Sequence, residues 1–397
     1  MEPAPIIPRR PAGRTDAGAT VSVEGRPCRP LWIGTFPVAG IGTPAGRGEG
    51  IWRTTVDLCS GELSTPVQVA HCPAPSFLAT GADTRMLYAT AEDTPLGELS
   101  VLEEEGGHLR SFPRVSSGGA APTHLVHVPA PGGGSVLVTS NYGDGTVGVV
   151  PLGEDGLPHS GTTALHHRGS GPDPDRQQGS HAHSATPAPG GRMLLVCDLG
   201  TDELRRIRLG GTPGEPLATE DGVAFRFRPG SGPRHAAFLP DGRHLVVVTE
   251  LSAEVVLLEW DGEHAEELAR VELAQGTSGT HLPSHLVLSP RADAPGHLLD
   301  VADRGPGTLL TLAIPPSGDA LDLLGSTPVG SSWPRHFAVV PGCEGSTLLV
   351  VAGETENRLT VLRRTVDSPL PELLAGWVKV PSPAFVLPTL ATRPQNY

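Results

Sequence analysis

The chain has 397 residues and a formal net charge of −14, because 43 Asp and Glu outnumber 29 Lys and Arg. This acidic balance, without a Lys/Arg cluster longer than a short pair, argues against a nucleic-acid partner and against an anionic membrane surface. The 51 Gly and 42 Pro interrupt most windows that could form a long helix, so short strands joined by turns are predicted. A small molecule is the expected partner, and an anionic one would need a local group of arginines.

Residues 1–30 are rich in Pro and Arg, and we predict that they form a disordered tail. No apolar stretch follows Arg9 and Arg10, so neither a signal peptide nor a twin-arginine export signal is expected. The five cysteines are scattered and odd in number, which indicates free thiols in a reducing compartment. No run approaches the length of a membrane span. We therefore expect a cytoplasmic protein with one domain over 31–390 and a short tail at 391–397.

From Pro75 onward, a pattern of two strands recurs six times. The first strand starts just after a proline or alanine, and the second ends in a polar residue about 15 to 20 residues later. The starts are Pro75, Pro122, Ala182, Pro233, Pro283 and Pro334, and the matching ends are Glu92, Asn141, Asp198, Glu250, Arg304 and Glu354. Successive starts are 47, 60, 51, 50 and 51 residues apart. This period is typical of a β-propeller with one four-stranded antiparallel blade per repeat.

The remaining strand-like segments lie at the two ends of the chain. They begin at Leu31 and Gly50 on one side and at Trp377 on the other. If these segments combine into one more sheet, the ring closes with seven blades and leaves no open edge. We therefore predict an all-β, seven-bladed β-propeller closed by strands from both termini, with a six-bladed ring plus a hairpin as the alternative.

The 60-residue spacing contains a polar insertion at 166–184. Such an insertion is either a surface loop or functional, and its entry into an innermost strand favours function. His181 and His183, near its end, share one face of a strand and could bind a metal ion together with a ligand from another blade. Because many residues could supply that ligand, the pattern is unspecific, and no metal site is predicted.

In a propeller blade, the start of the first strand and the end of the second meet at the same mouth of the central channel. The residues that follow the strand starts therefore form one ring: Ser76, Thr123, His183, Arg234, Ser284 and Arg335. The next residues form a second ring: Phe77, His124, Ser184, His235, His285 and His336. Because polar identity changes from blade to blade, a shaped pocket is favoured. Turn caps, structural ion pairs, and packing of His235 and His336 between blades are the alternatives.

Four segments resemble the lactonase family of seven-bladed propellers, which includes bacterial 6-phosphogluconolactonases and fungal carboxy-muconate cyclizing enzymes. They are SNYGDGTVGVVPL, HHRGSGPDPDRQQGSHAHSATPAPGGRMLLVCDLGTDEL, GSGPRHAAFLPDGRHLVVVTELSAEVVLLEW and SSWPRHFAV. The resemblance extends from Leu31 to Pro388. It implies four catalytic residues, which also lie among the positions described above: His183, Arg234, Glu250 and Arg304. We further predict that five residues bind substrate: Asn141, His181, His285, Arg335 and Glu354.

The chain departs from the family pattern at two strand ends. Asp303-Arg304-Gly305 stands where relatives commonly have Asn-Arg-Gly, and Ala352-Gly353-Glu354 stands at the usual Ala-Asn-Gln end of the last repeat. Both changes are expected to add acid to the mouth, which makes it less suited to a phosphate dianion.

The resemblance implies a cofactor-independent lactonase that acts on a small, anionic sugar or carboxylate lactone in carbohydrate metabolism. Arg234 and Arg304 would hold anionic groups, and His183 or Glu250 would act as the general base. The same residues could run a lactone-forming reaction, so a muconate-type cycloisomerase or a specialised pathway cyclase is the runner-up. A non-catalytic binding propeller is a further alternative. We expect a monomer or a weak homo-oligomer.

Overall fold

The computed structural model describes residues 21–23, 25–36, 49–82, 85–92, 96–159, 161–210, 217–274 and 279–389. Residues 1–20 of the predicted N-terminal tail, and the whole predicted tail at 391–397, lie outside the described residues. Within the predicted 1–30 tail, however, the structure differs from the prediction, because Val21–Val23 and Arg26–Thr35 are strands. The propeller therefore begins earlier than residue 31.

The strands form seven antiparallel sheets, which we number as blades and give from the innermost strand outward. Blade 1 contains Pro383–Pro388, Arg26–Thr35, Ile51–Asp57 and Val67–Ala70, with Val21–Val23 also paired to its second strand. Blade 2 contains Leu78–Thr80, Met86–Ala91, Glu98–Glu105 and His108–Ser111, with Val115–Ser116 paired to its third strand. Blade 3 contains Pro122–Pro129, Ser135–Asn141, Val147–Leu152 and Thr163–Leu165. Blade 4 contains Ala182–Pro187, Met193–Asp198, Glu203–Leu209 and Ala218–Arg226.

The other three blades follow the same order. Blade 5 contains Pro233–Phe238, His244–Thr249, Glu254–Trp260 and Ala265–Glu272. Blade 6 contains Pro283–Pro290, His297–Asp303, Thr308–Ile314 and Asp322–Pro328. Blade 7 contains Pro334–Pro341, Thr347–Gly353, Arg358–Arg364 and Glu372–Lys379, with the short 3-10 helix Cys343–Gly345 between its first two strands. The prediction of an all-β, seven-bladed propeller with four-stranded blades is confirmed.

Blade 1 closes the ring with strands from both ends of the chain, as predicted. The C-terminal strand Pro383–Pro388 is innermost and pairs with Arg26–Thr35, in a register that runs from Leu31 opposite Pro388 to Thr35 opposite Pro383. Pairing of this kind leaves no open edge at the centre of the ring. Closure therefore depends on backbone hydrogen bonds between the two ends of the chain.

Apolar cores lie between neighbouring blades. The described residues contain seven buried clusters, one for each blade interface. Leu245 to Val248 in blade 5 are fully buried, and alternate members pack toward blade 4 and blade 6. Strands buried on both faces read as continuous aliphatic runs, which is why the second strands were visible in the sequence.

The expectation of five free thiols is wrong, because Cys59 and Cys343 form a disulfide. Cys59 follows the third strand of blade 1, and Cys343 lies between the first two strands of blade 7. Both connections are on the face opposite the mouth, so the disulfide links the two blades that meet where the chain closes. Their separation of 284 residues explains why no spacing motif revealed the pair. Among the described residues, Cys28, Cys72 and Cys197 do not take part in a disulfide.

In the described part of the chain, no helix is long and apolar enough to span a membrane.

Candidate active site

One backbone hydrogen bond recurs at the mouth of every blade and defines equivalent positions. The amide that follows the second strand donates to the carbonyl before the opening residue of the first strand. Examples are Glu250 N to Gly232 O at 2.7 Å and Glu354 N to Trp333 O at 3.2 Å. The seven donating residues, which we call the mouth ring, are Phe36, Glu92, Tyr142, Leu199, Glu250, Arg304 and Glu354.

In blades 3 and 4, the mouth ring is shifted by one residue from the strand ends that the repeat pattern of the sequence predicted. Asn141 and Asp198 are the last residues of their strands, and Tyr142 and Leu199 take the equivalent positions. Neighbouring side chains on a strand point to opposite faces, so a shift of one residue changes which side chain enters the mouth.

The Asn141 and Asp198 side chains are instead hydrogen-bonded within the blade walls. Asn141 Nδ2 donates to Ser117 O at 3.2 Å and to Thr146 Oγ1 at 3.1 Å. Asp198 Oδ2 accepts from Arg205 Nη1 at 3.1 Å, and both carboxylate and guanidinium are fully buried. The structure thus places Asn141, a predicted substrate contact, apart from the charged groups of the mouth.

Three arginines converge on the carboxylate of Glu250, and we call these four residues the arginine cluster. Arg234 Nε donates to Glu250 Oε2 at 2.8 Å, and Arg304 Nη2 lies 2.6 Å from the same oxygen. Arg176 Nη2 donates to Glu250 Oε1 at 2.6 Å. The side chains of Arg234, Arg304 and Glu250 are no more than 4 % exposed. Three cations around one anion leave an excess positive charge in a site sheltered from water.

The charge states within the arginine cluster follow from its geometry. Although burial opposes ionisation, Arg304, Arg176 and Arg234 hold the pKa of Glu250 well below its usual range. Burial and the neighbouring Arg304 lower the pKa of Arg234 to about 9, which still leaves it protonated at neutral pH. Glu250 is therefore a fixed anion, bound to arginines on both oxygens.

Two members of the site, Arg176 and Tyr142, were missed by the sequence prediction. Arg176 belongs to the insertion at 166–184, and its Nη2 also donates to Tyr142 Oη at 3.2 Å. The adjacent Gln177 anchors the insertion, because its Nε2 donates to Asp202 Oδ1 at 2.8 Å. The polarity of the insertion signalled function, but only its end was assigned to the site.

His181 and His183 lie beside Tyr142 in different surroundings. The His181 ring stacks on Tyr142 with centroids 4.6 Å apart, and its Nδ1 lies 2.6 Å from the Tyr142 carbonyl oxygen. His183 packs edge-on against Tyr142 and His235, at 5.5 and 5.6 Å. Burial and the charge of Arg234 lower the pKa of His183 well below its usual value, so its imidazole is neutral. The buried His183 Nδ1 has no hydrogen-bond partner among the described residues.

One step further along six of the seven innermost strands, aromatic and imidazole rings close the central channel, whereas blade 4 has Ser184 at that position. This ring plug consists of Phe77, His124, His235, His285, His336 and Phe385. Neighbouring centroids are between 3.8 and 5.7 Å apart. Phe77 also lies 6.3 Å from His235 and 6.1 Å from His336, so the six rings of the described chain pack together across the channel behind the mouth.

Packing accounts for the histidines of the ring plug. His336 Nδ1 accepts from the Val386 amide of blade 1 at 3.3 Å, as the packing interpretation predicted. His285, a predicted substrate contact, stacks on His336 at 3.8 Å and has its Nδ1 3.1 Å from His235 Nδ1. Desolvation, followed by the charge of Arg234, lowers the pKa of His285 to about 3, so its imidazole is neutral. The structure brings His285 into the plug below the arginine cluster.

On the other side of the mouth, Arg335 lies between two carboxylates, and we call these three residues the acidic subsite. Arg335 Nη1 donates to Glu354 Oε2 at 3.4 Å, and Nη2 donates to Glu92 Oε2 at 3.5 Å. The guanidinium carbon of Arg335 lies 4.6 Å from the ring centroid of Phe36. Ser76 Oγ also donates to the Glu92 carboxylate. The predicted contacts Arg335 and Glu354 therefore lie in the mouth together.

Only one of the two departures from the family pattern adds acid to the mouth. The fully buried Asp303 accepts from the Leu282 amide at 2.9 Å and lies 2.6 Å from His281 Nδ1, so it stabilises the turn that precedes its blade. The expectation that Asp303 makes the mouth more acidic is wrong. Glu354, in contrast, belongs to the mouth ring.

Within the ranges that the structure describes, no three His, Cys, Asp or Glu side chains come together in a way that could hold a metal ion. The mouth combines clustered guanidiniums, a neutral imidazole and a separate pair of carboxylates. Such a set can stabilise an oxyanion, accept a proton and bind hydroxyl groups.

The fold and the mouth define a class: closed seven-bladed propellers with a polar site at one end of a blocked channel. A family model described as "Lactonase, 7-bladed beta-propeller" matches residues 31–388. The chain therefore belongs to the lactonase family of seven-bladed β-propellers, and the resemblance described from its sequence is confirmed.

Individual relatives cover almost the whole chain. The 6-phosphogluconolactonase of Bacillus subtilis is 28% identical over 357 residues, which are 89% of this chain and 97% of the relative. Among solved structures, the periplasmic gluconolactonase of Pseudomonas aeruginosa is 27% identical with a TM-score of 0.81, covering 91% of this chain and 99% of that one. A protein from Lactobacillus plantarum is 25% identical with a TM-score of 0.77, covering 90% of this chain and 98% of that one.

Proposed function

We propose that this protein is a cofactor-independent lactonase that hydrolyses a small sugar or carboxylate lactone in the mouth of the propeller. One observation carries the proposal: the arginine cluster occupies the same sheltered mouth as the neutral His183, whose Nδ1 has no hydrogen-bond partner among the described residues. The names of the relatives from Bacillus subtilis and Pseudomonas aeruginosa support the reaction class. Because both names specify sugar lactones, they also support a role in carbohydrate metabolism.

Lactone hydrolysis needs a group that stabilises negative charge on the carbonyl oxygen. When water adds to the carbonyl carbon, that oxygen becomes an anion in the tetrahedral intermediate, and we assign its stabilisation to the guanidiniums of Arg234 and Arg304. Glu250 holds both arginines at 2.6 to 2.8 Å, so they are oriented before the substrate arrives. The carboxylate product would be held by the same excess of positive charge.

His183 is the better candidate for the general base. Its buried Nδ1 has no partner among the described residues and can accept a proton from the attacking water. Glu250 is less suited to that role, because three arginines occupy its oxygens and lower its pKa. After the ring C–O bond breaks, the proton on His183 passes to the ring oxygen, which becomes the hydroxyl of the open-chain hydroxy acid.

The disulfide bears on the compartment in which the protein is expected to lie. The expectation of a cytoplasmic location depended partly on free thiols, and the Cys59–Cys343 disulfide removes that support.

The proposed function is tested by measuring proton release on a panel of γ- and δ-lactones, each corrected for spontaneous hydrolysis. His183→Asn is expected to lower kcat on the order of 10² to 10⁴ while leaving the fold intact, because it removes a proton acceptor. The matched control is His264→Asn, because His264 is exposed in a turn of blade 5. Equal rates for His183→Asn and wild type would contradict the assignment of the base, and no turnover of any lactone would contradict the lactonase proposal.

A further inference from the structure

The acidic subsite has features that the proposed chemistry at the arginine cluster does not use. One guanidinium, Arg335, is shared between Glu92 and Glu354 at 3.5 and 3.4 Å. The Glu354 side chain is only 1 % exposed. Its Oε1 atom is buried and has no hydrogen-bond partner among the described residues. A buried carboxylate oxygen without a donor is unfavourable unless a ligand supplies one.

Two carboxylates around one guanidinium favour the retention of a proton by the pair. Burial raises the pKa of Glu354 to about 7, and the charge of Glu92 acts in the same direction, against the opposing charges of Arg335 and Arg304. Burial also raises the pKa of Glu92. Near neutral pH the pair can therefore both donate and accept hydrogen bonds, as a site for sugar hydroxyl groups requires.

The mouth thus has two ends of opposite character. The arginine cluster takes Arg234 and Glu250 from blade 5 and Arg304 from blade 6, while the acidic subsite takes residues from blades 7 and 2. They belong to one mouth, since the charge of Arg304 acts on Glu354 and that of Arg234 acts on Glu92. A lactone whose carbonyl lies among the arginines would direct its other end toward the acidic subsite.

We propose that Glu92, Arg335 and Glu354 form a hydroxyl-binding subsite that excludes a phosphate dianion, so that the preferred substrate is an unphosphorylated aldonolactone. This inference rests on the lactonase function proposed above. A phosphate dianion has no proton to donate to Glu354 Oε1 and would be placed beside one or two carboxylates that already balance Arg335. A terminal hydroxyl group can donate to that oxygen.

The test compares kcat/KM for glucono-δ-lactone and 6-phosphoglucono-δ-lactone in wild type and Glu354→Gln. We expect the wild type to prefer the unphosphorylated lactone by at least about tenfold. At pH 8, where a Glu354 with a pKa of about 7 is mostly ionised, Glu354→Gln should narrow that ratio about tenfold or more, mainly by improving turnover of the phosphorylated substrate, because it removes this negative charge without changing the shape of the side chain. The matched control is Glu356→Gln, an exposed residue two positions further along the same turn, which should leave the ratio unchanged.

The outcomes separate the two proposals. If the wild type hydrolyses both lactones equally well, or prefers the phosphorylated one, the subsite proposal is overturned and the lactonase proposal stands. If the wild type hydrolyses neither lactone nor any other in the panel, the lactonase proposal fails and the subsite proposal fails with it. Glu92→Gln provides a second variant of the same subsite, and it should shift the ratio in the same direction. An unchanged ratio in both folded variants overturns the subsite proposal.

Discussion

Replacement of Glu250 by glutamine would test the electrostatic arrangement at the centre of the mouth. The substitution keeps the size and shape of the side chain, so it creates no cavity and removes only charge. In wild type, Oε2 interacts with Arg234 and Arg304 and Oε1 with Arg176. An amide has only one acceptor oxygen, so in either orientation its NH₂ group would face a guanidinium donor.

The expected loss of stability is large for an isosteric substitution. Removing one partner of a buried ion pair costs about 3 to 5 kcal/mol, because the remaining charge stays desolvated without compensation. Here Arg234 and Arg304, 4 % and 3 % exposed, would both remain buried beside a neutral amide. We therefore expect Glu250→Gln to lower the free energy of unfolding by about 3 kcal/mol or more at pH 7.

Equilibrium unfolding in urea, followed by tryptophan fluorescence, measures this difference. The control is Glu259→Gln, which removes the ion-pair partner of Arg243, a side chain that is 67% exposed. Because this pair is open to solvent, the substitution should lower the free energy of unfolding by less than about 1 kcal/mol. Because the pKa of Glu250 is depressed, its contribution is present above the ordinary glutamate pKa of about 4.5 and is lost as the pH falls below it. The gap between wild type and Glu250→Gln should therefore narrow at low pH. Equal stability of the two proteins at pH 7 would refute the reasoning.

Two further predictions concern the ring plug and the disulfide. His285 titrates near 6.5 when unfolded and at about 3 when folded, so its contribution to stability is lost as the pH falls below 6.5. In urea titrations between pH 7 and 5, His285→Asn should reduce the slope of stability against pH, whereas His264→Asn should not; identical slopes would contradict the burial argument. Cys59→Ser removes the link between blades 1 and 7 and should lower the free energy of unfolding by about 2 to 4 kcal/mol. Dithiothreitol should lower the melting temperature of wild type but not of Cys59→Ser, and an equal response would show that the disulfide does not contribute.

The fold could be predicted from the sequence because each blade repeats the same buried strands. Aliphatic runs such as Leu245 to Val248 are buried on both faces, and they recur at a spacing that only a repeated unit explains. The positions of Arg234, Glu250, Arg304, Arg335 and Glu354 in the mouth followed from that repeat. The repeat was sufficient to predict that a side chain lies in the mouth wherever its residue is at the end of a regular strand.

The repeat pattern was less successful in two blades, where the polar residue at the end of the second strand lies one position before the mouth ring. In blades 3 and 4, Asn141 and Asp198 were predicted to be the equivalent strand ends because they are polar. The residues that make the mouth-ring hydrogen bond in these blades are Tyr142 and Leu199. Only the backbone hydrogen bonds between strands reveal this shift, because a slip of one residue reverses the direction of every side chain.

Long-range contacts were the other limit of the sequence prediction. Arg176 reaches Glu250 across 74 residues from an irregular insertion, and no periodicity relates the two positions. The disulfide joins Cys59 to Cys343 only because the ring returns the end of the chain to its start. Contacts of this kind depend on closure of the whole propeller.

The ring plug gives the mouth a single entrance. Because six rings fill the central channel behind the arginine cluster, a substrate cannot pass through the propeller from one face to the other. If the protein hydrolyses a lactone in the mouth as proposed, the hydroxy acid would leave by the route through which the lactone entered, and its new carboxylate would be attracted to the same guanidiniums. Release of the product and arrival of the next substrate are then mutually exclusive events, so the accumulated hydroxy acid would compete directly with the lactone that gives rise to it.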